Sequence, residues 1–76
     1  MVTDKEWQER AKRLLKSQLA AHGVSYRDLA QRLEIIGIKE SEANIANKIS
    51  RGGFSAAFLL QCLTAIGVRS LPIITE

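Results

Sequence analysis

Ser41 to Gly53 reads SEANIANKISRGG, a polar start, an amphipathic middle and a double-glycine stop. Taken as a helix over 41 to 51, it puts Asn44, Asn47 and Arg51 at i, i+3 and i+7 on one face, with Ile45 and Ile49 on the opposite face. The apolar face needs a core to lie on. Asparagine's carboxamide offers a donor and an acceptor that match the major-groove edge of adenine, and arginine's fork matches guanine or phosphate. The stretch therefore reads either as a recognition helix or as a surface helix whose polar side meets only water.

The segments on both sides repeat the pattern of a capped, amphipathic helix. Upstream, Ser25 with Asp28 three residues on forms a box-like N-cap, and Val24 with Leu29 forms a hydrophobic staple. Leu29, Ala30, Leu33 and Ile36 then carry an inward face, Asp28 sits four residues before Arg32, and Gly37 is the stop. Lys39 and Glu40 fall in the polar turn IKESE that leads to Ser41, the N-cap of the next helix. Downstream, Phe54, Ser55 and Leu59 repeat staple and cap. Phe58, Leu59, Cys62, Leu63 and Ile66 give a broad apolar face, and Gly67-Val68 has the form of a glycine C-cap with its hydrophobic follower.

At the amino end, Thr3 and Glu6 have capping-box spacing, with Val2 and Trp7 as the staple. Trp7, Ala11, Leu14, Leu15 and Leu19 form the apolar stripe of this first helix, Glu6–Arg10 and Glu9–Arg13 are spaced as ion pairs, and His22-Gly23 ends it. Lys12, Arg13 and Lys16 form a basic segment that suits either a solvated face or an anionic surface. Past Gly67 the tail RSLPIITE breaks the pattern, because Pro72 forbids a helix and Ile73, Ile74 and Thr75 are β-branched. It reads as a short C-terminal arm, either frayed or packed on a second copy in a homodimer.

The sequence thus predicts an all-α domain of four helices, near 3 to 22, 25 to 36, 41 to 51 and 55 to 66, with Gly23, Gly37 and Gly67 at helix ends in positive φ. The expected core is Trp7, Leu14, Leu29, Leu33, Ile45, Ile49, Phe58, Leu63 and Ile66. Residues 1–76 are read as one domain. A chain of this size buries only about 60% of its unfolded surface, so that core is thin.

Composition narrows the function. Hydrophobic residues make up 46% and charged residues 25%, as in an ordinary globular protein. Eleven Lys and Arg against eight Asp and Glu leave a net charge of +3, a mild push toward a polyanionic partner. The longest apolar run, Ala56–Leu60, is far too short for a membrane span, and MVTDKEWQER has no apolar signal block, so a cytoplasmic location is expected. Cys62 is the single cysteine and His22 the single histidine, and no glycine-rich phosphate loop or HExxH motif is present. An enzyme, a metal site, a cofactor and a small-molecule ligand are accordingly not expected.

From Ser25 to Val68, the order LAQRL, a glycine turn, a polar helix ending in KISRGG and an apolar helix closing on AIGV resembles the lambda-repressor-like (XRE-type) helix-turn-helix family. The chain is more similar still to a small bacterial domain family of unknown function that shares the KISRG, FSAAF and IGV segments. The first resemblance implies a transcription regulator that binds double-stranded DNA, with the third helix in the major groove. On that basis Asn44, Asn47 and Arg51 are expected to contact bases, and Arg27, Lys39 and Lys48 phosphates, Arg27 assisted by the positive end of the second helix. Fifteen positions separate Ala30 from Ile45, more than in that family, so an extended turn precedes the third helix. The alternative is a protein-interaction module on the same scaffold, using Phe54, Phe58 and the tail.

Overall fold

Four hydroxyl side chains start four helices. In the computed structural model, which describes residues 3–71, Thr3, Ser25, Ser41 and Ser55 each accept the backbone N–H three residues ahead, at 3.0 to 3.2 Å. These caps open α1 (Asp4–Ala21), α2 (Tyr26–Ile35), α3 (Glu42–Arg51) and α4 (Ala56–Ala65). Ser25 and Asp28 complete the reciprocal box, the Asp28 carboxylate accepting the Ser25 N–H at 3.3 Å. Among the described residues the fold is all-α, as the sequence predicts.

Three of the four helices end by one mechanism. After α1, α2 and α4 a glycine takes the left-handed conformation (Gly23 φ 65°, Gly37 φ 87°, Gly67 φ 81°). An apolar residue follows, and its N–H returns to a carbonyl of the last turn: Val24 to Leu19, Ile38 to Leu33 and Val68 to Leu63, each at 2.9 Å. This is the Schellman arrangement, closed within one stretch of chain. The third helix ends differently. Gly52 (φ 73°) bonds only to Ile49, and the ammonium of Lys12, brought from α1, donates to the Ser50 carbonyl at 3.2 Å. α1 also approaches closely at Gly52, where a Cβ would sit 3.1 Å from the Gln8 carbonyl oxygen.

α2 packs against α3 and α4, and α1 against α4, around Leu15, Leu19, Val24, Leu29, Leu33, Ile45, Ile49, Phe58, Cys62, Leu63 and Ile66. Seven of the expected core residues are in this cluster, from Leu29 to Ile66, but Trp7 and Leu14 are not. Trp7 is 50% exposed. At 1.5 Å per residue α1 is about 27 Å long and the other helices about 15 Å, and its first turn, which holds Trp7, lies largely uncovered. The inward register of α1 is set by Leu15 and Leu19, with Leu14 at the edge. Ile36, placed inward from sequence, is 44% exposed, because it is the cap residue at which α2 leaves the core.

The expected helix-spaced ion pairs are also redistributed. Arg10 lies over the Trp7 ring, 4.8 Å from its centroid, instead of meeting Glu6, and Glu9 reaches Lys12 at 3.7 Å instead of Arg13. Asp28 is engaged with its own cap rather than with Arg32. The interval between α2 and α3 divides into the glycine stop and a loop, with Ile38 tucked against the core. Val2 and the arm residues Pro72, Ile73, Ile74 and Thr75 lie outside the described residues; Leu71, the last one described, packs on the protein's own core.

Candidate functional site

Ile45 and Ile49 are fully buried, which fixes the rotation of α3 and turns its opposite face outward. Asn44, Asn47, Lys48 and Arg51 are all exposed on that side. Gly52 and Gly53 then turn the chain sharply, so that Phe54 and the start of α4 stand beside the same face. The Phe54 and Phe58 rings meet at 5.7 Å between centroids with their planes 58° apart, an edge-to-face type of contact.

Between α3 and this aromatic pair lies an open groove of about 590 Å³. One wall is Asn44, Asn47, Lys48 and Arg51; the other is Gly53, Phe54, Ser55 and Phe58, with Glu40 at one end. The Lys48 ammonium pairs with the Glu40 carboxylate and sits 4.9 Å from the Phe58 ring centroid, within reach of its negative face. The Glu40 side chain is only 12% exposed, against 46% for Lys48. Cys62 is buried nearby. Burial, reinforced by the Glu40 charge and opposed by that of Lys48, pushes its thiol up to about 12, so it is a protonated packing group and not a nucleophile at neutral pH.

A family described as a domain of unknown function (DUF6471) matches residues 7–71. The chain belongs to that family. The match extends over all four helices and therefore includes α1, which the helix-turn-helix resemblance left out. No curated protein and no solved structure matches the chain.

In this DUF6471 domain the structure brings Asn44, Asn47 and Arg51 together along one wall, as their spacing implied. Lys48 joins them but is already engaged by Glu40. Arg27, in the first turn of α2, and Lys39, in the loop before α3, are both exposed and neither lines the groove. Sequence reading missed Glu40, and it named Phe54 and Phe58 only for a protein partner without placing them beside α3. Glu40 stands four residues before Asn44 and eight before Lys48, a spacing that would have placed it on the same face had the helical pattern been extended back through Ser41. Among the described residues no group of three His, Cys, Asp or Glu side chains is placed to hold a metal, and no helix is long and apolar enough to cross a membrane.

Proposed function

We propose that this domain binds double-stranded DNA in a sequence-dependent manner, as a small transcription regulator, with α3 in the major groove. The observation that carries this reading is the helix itself: two asparagines and an arginine converge on the exposed face, and the face behind them is anchored by Ile45 and Ile49 at zero exposure. A rigidly backed helix can hold carboxamide and guanidinium groups at base edges, where bidentate pairing discriminates between bases. In this reading Asn44, Asn47 and Arg51 contact bases. Arg27 and Lys39, exposed on flanking segments, contact phosphates, and the net charge of +3 favours the encounter. A homodimer using the C-terminal arm would present two such helices to two half-sites.

Asn47→Ala and Lys39→Ala form a matched test, read by duplex-binding titrations over a range of salt concentrations. Losing the base contact should cost about 1 to 3 kcal/mol at a selected sequence and leave random duplex binding nearly unchanged. Losing the phosphate contact should weaken all duplexes alike and make the salt slope shallower by about one. Selected duplexes that bind no better than random ones, with both variants behaving like the parent, would sink the reading. The second reading, a protein-interaction module, is placed from sequence on Phe54, Phe58 and the tail; Phe58 is 4% exposed, and what favours this reading instead is the exposure of Ile35 at 83% and Leu60 at 64%. It predicts a partner affinity without the steep salt dependence of phosphate contacts.

A further inference from the structure

The Glu40–Lys48 pair does not fit a surface built only to attract DNA. The Glu40 side chain is largely buried at the end of the groove that carries Asn44, Asn47 and Arg51, and the Lys48 ammonium lies 4.9 Å from the Phe58 ring centroid. We propose that Glu40 is a built-in competitor for Lys48: its carboxylate occupies the place a DNA phosphate would take, and keeps that ammonium out of the sequence-independent part of binding. This deepens the DNA-binding reading and rests on it.

Three effects hold the pair together. The Glu40 side chain is only 12% exposed with Lys48 beside it, so breaking the pair leaves a largely covered side chain without its counter-charge. Lys48 also gives up its position over the Phe58 ring if it swings outward. A phosphate at the groove mouth offers in exchange one solvent-exposed contact, which salt screens. The pair therefore persists in the complex, and Lys48 releases no counterions from the duplex. The groove keeps its uncharged hydrogen-bonding asparagines at full strength and gives up one unit of non-specific attraction.

The test is a set of salt titrations with a random-sequence duplex and a selected duplex, using the parent, Glu40→Gln, Lys48→Met and the double variant. Glu40→Gln keeps the side-chain shape and frees Lys48. It should bind both duplexes more tightly at low salt, with a log–log salt slope steeper by about 0.9, an extra loss of about 3.5-fold between about 50 and 200 mM salt. The added slope should vanish in the double variant. A purely structural role for the pair would shift the melting temperature, recorded in parallel, and leave the slope alone. A parental slope in Glu40→Gln overturns the proposal, and so does a steeper slope that survives in the double variant, which would assign the effect to the lost negative charge and not to Lys48. If Glu40→Gln fails to fold, Glu40→Asp, which retracts the carboxylate by one methylene, should steepen the slope in the same direction, and an unchanged slope there overturns the proposal equally. A parent that binds no duplex even at low salt brings down the DNA-binding reading itself, whereas a parent that binds with an unaltered Glu40→Gln slope brings down only the role of Glu40.

Discussion

The end of α3 and the ends of the other three helices solve the same problem with different means. α1, α2 and α4 each finish within their own stretch of chain, on a glycine and an apolar residue that returns one hydrogen bond. The end of α3 is finished by another helix: Lys12 satisfies the Ser50 carbonyl, and the backbone at Gln8 lies against Gly52. Self-contained ends are properties of local sequence, so they form wherever that sequence is helical. A shared end holds only when both partners are docked. The helix bearing the candidate reading face is therefore the one whose terminus depends on tertiary structure.

The contrast can be broken most severely from inside. Ile49 is fully buried and its carbonyl receives the Gly52 N–H, so Ile49→Ala removes the anchor beneath the shared end. A loss of about 2 to 5 kcal/mol is expected, enough to unfold much of the population of a small domain at physiological temperature. Parent-like melting would mean that α3 does not dock through this face. A finer comparison sets Gly52→Ala against Gly23→Ala. Both place a Cβ in the left-handed region, at about 1 to 2 kcal/mol, but Gly23 opens onto free space and Gly52 onto the Gln8 carbonyl. Gly52→Ala should cost roughly 1 kcal/mol more through crowding, a further drop of about 4 to 8 °C in melting temperature. Equal melting temperatures would show that α1 yields freely at the contact.

Lys12→Met should give the smallest effect. It deletes the hydrogen bond to Ser50 and the partner of Glu9 while keeping an apolar stem, for about 0.5 to 1.5 kcal/mol. Amide exchange gives the sharper readout. Protection at Gly52 should fall, and that at Val24, Ile38 and Val68, whose bonds are local, should not. Loss of protection at all four sites together would make the distinction between shared and self-contained ends untenable.

The same contrast explains what could be read from the chain in advance. Thr3, Ser25, Ser41 and Ser55 act on residues three positions away, and Gly23-Val24, Gly37-Ile38 and Gly67-Val68 act over a single turn, so four helices and their limits were legible to within a residue or two. The polar face of α3 was legible for the same reason, being fixed by the burial of Ile45 and Ile49 on its own helix. What escaped depends on distance along the chain. Lys12 and Ser50 are 38 residues apart, so the sequence pattern offers Lys12 only solvent or an anionic surface. Trp7 fits the apolar stripe of α1, but a stripe says which way a helix faces and nothing about where its neighbours stop. The second wall of the groove arises from a turn that swings Phe54 back beside α3, and Glu40 meets Lys48 across the N-cap, where helical spacing is not normally continued.

The exposure of Trp7 carries a practical consequence of an optical kind. It is the single indole of the chain, half in water and stacked under the Arg10 guanidinium, one residue before the Gln8 backbone that touches Gly52. Its emission therefore reports on the amino-terminal turns of α1 and stays largely silent about the interior, so fluorescence from this protein is a gauge of whether the first helix sits against the end of the third.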